Sequence, residues 1–300
     1  MQSVIPHLDL GPVGVWSGAF ASMPTPALRD AVPEIESLGF NTMWYPESFS
    51  KESFSLAAIL LSAGRTNIAA TGIANLWARD ATAMSNGTRT INEAFPDRFL
   101  LGVGVSHKPA ATRRGGDYRR PFSLMVEYLD AMDAAVYTGP EPENDPPLVL
   151  AALGPRMLEL AAARTSGAHP YFVPLEHTAL AREVMGPDAL LAPELAFVLS
   201  KDADEAHAIA RDFAELYLAH PNYTNNLLRL GWSEEDMAHG GSDALMDAII
   251  PWGSRAVIRD RVAAHLAAGA DHVAVQVLNG RGNEFPLAEW REIGPALSEF

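Results

Sequence analysis

The chain has 300 residues, no cysteine and a formal net charge of −15 at pH 7. The lack of Cys excludes disulfides, zinc–thiolate and iron–sulfur centres and a thiol nucleophile, and the acidic balance argues against nucleic acid or an anionic membrane as the main partner. A hydrophobic content of 48% and a charged content of 20% are those of a globular protein; no apolar run approaches the roughly 18–20 residues of a membrane span, and the opening MQSVIPHLDLGPVG lacks the basic start and apolar core of a signal peptide, so the expected location is cytoplasmic.

In chain order, residues 13–18 (VGVWSG) read as a first strand. Thr25-Pro26 reads as an N-cap with Pro at the first helical position. Leu28, Val32, Ile35 and Leu38 give that helix its apolar stripe, and Gly39 ends it. Residues 40–45 form the second strand, running into Pro46-Glu47-Ser48, and residues 55–63 a short apolar helix. Residues 68–76 form the third strand, with Asp80 placed to cap the next helix, whose inner face is Met84, Thr88, Ile91 and Phe95. Residues 99–105 (FLLGVGV) form the fourth strand. A loop at 106–120 carries Lys108, Arg113, Arg114, Arg119 and Arg120, and the following helix shows Met125, Leu129, Met132 and Val136 on one face. Four prolines between 140 and 147 mark a stiff surface connection.

The stretch 148–163 (LVLAALGPRMLELAAA) is an apolar strand, one tight turn and an apolar helix. Pro155 suits the first helical position, Gly154 lets a ligand approach the backbone, and the free N–H groups and positive dipole end suit a phosphate. Many strand–helix turns carry Gly-Pro and bind nothing. Residues 168–173 and 194–199 read as the sixth and seventh strands. A helix from Asp202 has Ile209, Phe213 and Leu216 on its buried side. The polar stretch 220–242, with Pro221, Gly231, Gly240, Gly241, Tyr223 and Trp232, breaks the rhythm and reads as an irregular lid or binding loop. A helix after Ser254, a strand at 272–278 and a terminal helix close the chain.

Eight strand–helix units with near-continuous apolar strands indicate a parallel sheet covered by helices, and eight favours a closed (β/α)8 TIM barrel in one domain over 1–300, with an insertion between strands 7 and 8. Chemistry in such barrels sits at the C-terminal strand ends. The residues there are Ser17, Glu47, Asn75 to Asp80, Ser106-His107, Leu153 to Arg156, His169 to Tyr171, and Asn279.

Five segments in this order, GFNTMWYPESF, TGIANLWARD, RFLLGVGVSH, AALGPRMLELAA and GAHPYFVPLEHT, resemble the luciferase-like flavin and deazaflavin oxidoreductases, and within them the actinobacterial coenzyme F420-dependent branch. The resemblance runs from about Val13 to Asn279. It implies a homodimeric TIM barrel holding F420, or alternatively FMN, at the strand C-termini. It implies that Leu153, Gly154, Pro155 and Arg156 form the phosphate turn. It implies that Gly72-Ile73 is a non-prolyl cis peptide bulging against the deazaflavin ring, with Ala74 and Asn75 facing the pyrimidine edge and Ser106 and His169 completing the cofactor site. Glu47-Ser48 stands where many F420-dependent relatives carry Asp-His; Glu47 is thus a candidate acid–base group, with an ion-paired or helix-capping Glu as the alternative. His107 is the candidate proton donor to a substrate reduced by hydride. Trp16 and Trp77 are candidate pocket walls. The cations between Lys108 and Arg120 are placed to attract the phosphate and polyglutamate tail of F420, or are simply a solvated loop. No histidine spacing suits a metal site.

The first functional expectation is hydride transfer between F420 and a small alcohol, ketone, enone or imine. The second is an FMN-dependent monooxygenase, and the third a non-catalytic barrel that binds a flavin.

Overall fold

The computed structural model describes residues 5–282 and 284–300. The first four residues of the stretch read for a signal peptide lie outside these. Ten parallel strand segments form one curled sheet: β1 (Val13–Trp16), β2 (Thr42–Tyr45), β3 (Ile68–Thr71), β4 (Ala74–Asn75), β5 (Phe99–Gly104), β6 (Leu148–Leu150), β7 (Gly167–Ala168), β8 (Leu190–Leu191), β9 (Glu194–Val198) and β10 (Val273–Leu278). The hydrogen-bonded order is β8-β7-β6-β5-β3-β2-β1-β10-β9, with β4 on β5. The two ends of that path are neighbours in sequence. Ala192 N–H bonds Ala168 O (3.0 Å) on one side, and Pro193 O accepts from Ala274 N–H (2.9 Å) on the other. Likewise β3 and β4 are one run interrupted at Gly72-Ile73. The architecture is α/β and TIM-barrel-like.

Alternation along the strands separates two cores. Outward residues such as Val15, Met43, Leu101, Leu150 and Val275 pack under the helices, while Trp16, Trp44, Ala70, Leu100, Val149 and Ala274 fill the interior. Leu8 and Leu10 pack into that interior from the N-terminal segment. Between β9 and the helix Arg255–Ala267 that leads to β10, the chain forms helices Ala203–Leu218, Pro221–Arg229, Glu234–Met237 and Asp243–Ile249. These share a third cluster with Phe172, Ala196 and Val198.

Several expectations change. The stretch 220–242 is not irregular: Pro221 opens a helix, Ser233 caps the next with a capping box, and Ala238–Gly240 adds a 3-10 turn. The 106–120 loop contains the helix Lys108–Arg113. The helix at Thr25–Ser37 is preceded by Pro24, with no side-chain cap; proline at the second turn position already sets the entry. In Ala203–Leu218 the buried line is Ala206, Ala210 and Ala214, while Leu216 is exposed. Small residues allow close packing there; Ile209 and Phe213 are half-buried against the third cluster, and of the expected line Leu216 alone turns to solvent. Val136 lies beyond the helix Pro121–Asp133 and is exposed. Asp80 and Asp202 do cap their helices.

Candidate functional site

The Gly72-Ile73 peptide is cis. Its neighbours explain the glycines around it. A Cβ on Gly72 would stand 2.6 Å from Trp16 Nε1 and 2.9 Å from His169 Nε2, and one on Gly104 would stand 2.6 Å from Ile73 Cδ1. Gly104 of β5 therefore makes room for the Ile73 side chain, and Gly102 for the Thr71 carbonyl, against which its Cβ would stand. Glu47 N–H bonds Ile73 O (3.1 Å), and Gly72 N–H bonds Tyr45 O (2.8 Å), fixing the run at its β2 edge.

Glu47 is buried just beyond β2. Its Oε2 accepts from Asn75 N–H (2.8 Å) and Arg79 Nη1 (2.8 Å), its Oε1 from Ser53 N–H (3.2 Å) and from Arg79 Nη2. This is the ion-paired alternative, with both oxygens engaged, and it leaves no free lone-pair set facing a substrate. Glu47 holds Asn75, and Asn75 Oδ1 in turn accepts from Trp77 N–H (3.0 Å) in a local turn. Ala74 is fully buried against Val103. Trp77 closes the end of this strand, its Nε1 donating to Val105 O (2.9 Å). Ser106 adopts a left-handed conformation, and its carbonyl accepts from Tyr118 OH (3.0 Å).

The opposite side is built of aromatic rings. His169 stacks on Trp44 at 4.3 Å and donates Nδ1–H to Ala192 O (2.6 Å); its Nε2 has no partner, nor has Trp16 Nε1. Burial pushes the His169 pKa down to about 4. Trp16 contacts Tyr171, whose hydroxyl joins Tyr217 OH and Gln276 Oε1, each at 2.9 Å. Glu194, on β9, accepts from Phe172 N–H (3.1 Å) through one oxygen and has no partner at the other. Burial without a counter-charge pushes its carboxyl up to about 8.

His107 follows β5 and stacks on His220 at 4.5 Å, with Tyr223 beside it. Burial first, then the charge of His220, pushes the His107 pKa down to about 4, against a hydrogen bond to the Asn222 side chain. The ring is neutral near pH 7, and its Nδ1 has no partner.

Gly154 precedes the helix Pro155–Arg164, with Pro155 at its start and no side-chain cap. The atoms nearest a Cβ on Gly154 are the two Nη atoms of Arg229, at 3.7 and 3.8 Å. A guanidinium thus stands beside an uncapped helix start, where dipole and cation both favour an anion. Leu153 packs into the third cluster, and its carbonyl accepts from His177 Nε2 (2.8 Å). Arg156 points outward over Phe122, 4.1 Å from the ring centroid. Arg229, His220, Asn222 and Tyr223 were not singled out as site residues from sequence. Only the unusual Tyr-containing polar stretch signalled their neighbourhood, because contacts between residues so far apart in the chain leave no local pattern.

Barrel-like parallel strands carry a cis Gly-Ile peptide and an uncapped Gly-Pro helix start at their C-terminal ends. Residues 9–272 match the luciferase-like monooxygenase family, and the chain belongs to it. It is similar to the 5,10-methylenetetrahydromethanopterin reductases of Methanolobus tindarius (23% identity over 203 residues, 59% of this chain and 62% of that protein) and Archaeoglobus fulgidus (27% over 248 residues, 73% and 74%). The chain thus spans less than two thirds of the first of these relatives. Its fold is similar to that of an F420-dependent secondary alcohol dehydrogenase solved with an F420–acetone adduct (TM-score 0.76, 13% identity, covering 95% of this chain and 98% of that one). It is also similar to the oxygenating constituent of 3,6-diketocamphane monooxygenase from Pseudomonas putida, solved with FMN (TM-score 0.69, 13% identity, 96% of each chain).

Proposed function

We propose that this protein is a coenzyme F420-dependent oxidoreductase that moves a hydride between F420 and a small alcohol, ketone, enone or imine. The uncapped helix start at Gly154 with Arg229 beside it carries the reading, because it suits the phosphate of the cofactor. The reductase names of the sequence relatives favour hydride transfer over oxygenation. F420, when bound, supplies a carbon hydride carrier that does not activate oxygen.

In this reading Leu153, Gly154, Pro155 and Arg156 hold the phosphate. Gly72, Ile73, Ala74 and Asn75 form a ledge for the ring, Ser106 and His169 border it, and Glu47 is a positioning residue, itself held by Arg79, that accepts the Asn75 backbone N–H. His107, neutral at pH 7, presents an imidazole N–H that polarises a substrate carbonyl and returns a proton to the alkoxide. Neutral imidazole suits this role when burial suppresses the charged form. The segment 220–242, inserted between the seventh and eighth barrel strands, acts as a lid, with His220 and Tyr223 excluding water above His107. The protein acts as a cytoplasmic homodimer on a small molecule; light scattering tests the dimer.

The second reading, an FMN-dependent monooxygenase, draws on the FMN-bound structural neighbour. Parallel fluorescence titrations with F420 and FMN decide between them. Preference for F420, lost in Gly154→Leu, supports the first. Preference for FMN with substrate-dependent oxygen uptake supports the second. Binding without turnover of any carbonyl or alcohol supports a non-catalytic barrel.

A further inference from the structure

We infer that Trp16 Nε1 and His169 Nε2 form a two-point seat, beside the Cα of Gly72, for a single oxygen that accepts one hydrogen bond and donates another. That oxygen belongs to a water molecule or to the hydroxyl of a small molecule held in the barrel mouth. The inference stands on side-chain geometry and does not depend on which cofactor the protein takes.

The barrel interior holds two Trp–His pairs, and they are completed differently. Both imidazoles spend Nδ1 on a backbone carbonyl, His272 on Gly11 O (2.7 Å) and His169 on Ala192 O (2.6 Å). A carbonyl only accepts, so Nδ1 carries the proton in each ring and Nε2 is an acceptor. Burial keeps both rings neutral near pH 7. In the first pair Trp44 Nε1–H donates directly to His272 Nε2 at 2.9 Å. In the second, Trp16 Nε1–H and His169 Nε2 have the same complementarity. Yet they do not bond each other, and among the described residues neither has another partner. Trp16 is 4% exposed and His169 1%, so bulk solvent does not make up the loss. A buried donor and a buried acceptor left unmade each cost their desolvation in full.

Gly72 marks where the two nitrogens converge. A Cβ built there would stand 2.6 Å from Trp16 Nε1 and 2.9 Å from His169 Nε2. Those separations are too short for a methyl group and close to hydrogen-bond lengths. An oxygen touching the Gly72 Cα on that side is within reach of both nitrogens. Packing holds the two rings apart: Trp16 lies against Tyr171, with ring centroids 5.0 Å apart, and His169 is stacked on Trp44 at 4.3 Å. The bond directions are fixed as well. The indole can only give a hydrogen, and His169 Nε2 can only receive one. A hydroxyl meets both demands through one atom; a carbonyl or ether meets only the first, and an ammonium only the second. An uncharged, enclosed place with two polar partners suits a buried water.

The test is NMR of the ligand-free, 15N-labelled full chain, read at the indole N–H groups of Trp16 and Trp44. Trp16 should show a cross-peak to a long-lived water, and Trp44 none. Trp44 and His272 should instead show a nitrogen–nitrogen coupling across their hydrogen bond, which Trp16 and His169 lack. Adding 2-propanol separates the two sources of the oxygen. Methyl cross-peaks at the Trp16 N–H, with loss of the water signal, assign the seat to a ligand hydroxyl; an unchanged water signal assigns it to water. A crystal structure should place one oxygen in hydrogen-bond contact with both nitrogens. Trp16→Phe, which keeps a ring but no donor, should lose that oxygen and shift the His169 Nε2 resonance; Gly72→Ala, which puts a methyl group against the seat, should expel it. A direct coupling between Trp16 and His169 in the wild type overturns the seat. So does a Trp16 N–H with no cross-peak to water or alcohol, or an oxygen that stays in place in Trp16→Phe. The wild-type spectra decide the matter even where a variant fails to fold.

Discussion

Two buried glutamates, one just past β2 and one at the start of β9, are handled in opposite ways. On the β2–β5 side Glu47 meets a guanidinium and two backbone N–H groups. On the β7–β9 side Glu194 meets one backbone N–H and a wall of tyrosines, and its second oxygen is unpartnered. Burial alone therefore does not decide what a carboxyl becomes; the nearest counter-charge does. On the first side both oxygens of Glu47 are engaged. The second side keeps buried donors and acceptors without a protein partner at Trp16, His169 and Glu194. The difference argues that ligand chemistry lies toward the aromatic side and that Glu47 serves the scaffold.

The comparison can be strained hardest with acid. His107, His169, His177, His265 and His272 are all pushed down to about 4 from 6.5 by burial. Between those pH values the unfolded chain binds more protons than the folded one, so stability falls as pH drops from about 6.5 towards 4. Each group contributes up to about 1.4 kcal/mol per pH unit, less for the half-buried His107. Urea unfolding across pH 4–7 should show cooperative loss within that window. A stability flat down to pH 4 would mean these rings are not held neutral.

Next in size is the Glu47–Arg79 pair. Arg79→Leu leaves Glu47 buried without its charge partner, and a loss of about 3–5 kcal/mol is expected in chemical denaturation. Glu47→Gln with Arg79→Leu should recover part of it. If the single variant melts like the wild type, Glu47 is not the anchor described here.

Glu194 gives a smaller slope of opposite sign. Its carboxyl is raised from 4.5 to about 8, so the folded state keeps a proton that the unfolded state releases. Stability from this group is full below pH 4.5 and is lost as pH rises to about 8. Glu194→Gln should flatten the alkaline limb of a Tm–pH profile between pH 7 and 8. An unchanged limb would place the negative charge in the folded state.

Gly72→Ala tests the contact between the two sides. Its Cβ would stand 2.6 Å from Trp16 Nε1 and 2.9 Å from His169 Nε2, and overpacking of about 1–3 kcal/mol follows. A variant as stable as the wild type would show that Trp16 and His169 can yield.

The strand–helix rhythm, most strand positions and the Gly154-Pro155 turn were legible because each is a local signal; the sixth strand is shorter than expected, Gly167–Ala168, and β8 at Leu190–Leu191 was not foreseen. Apolar runs, capping residues and Pro at a helix start depend on neighbours a few residues away. Arg79 as the partner of Glu47 and Arg229 as the neighbour of Gly154 were not legible, since each pairing joins separate elements and no periodicity marks it. The helical nature of 220–242 was hidden by its prolines and glycines, which here punctuate short helices. The cis Gly72-Ile73 bond was expected from family resemblance and not from propensity.

The sequence by itself determined the parallel α/β plan, the order of its units and the absence of thiol chemistry, because these depend on composition and short-range pattern. Tertiary structure alone decided which buried carboxyl is paired and which is left protonated. It also brought His107 under His220 and Arg229 beside Gly154. Those outcomes depend on distances between residues far apart in the chain, and only the packed barrel fixes them.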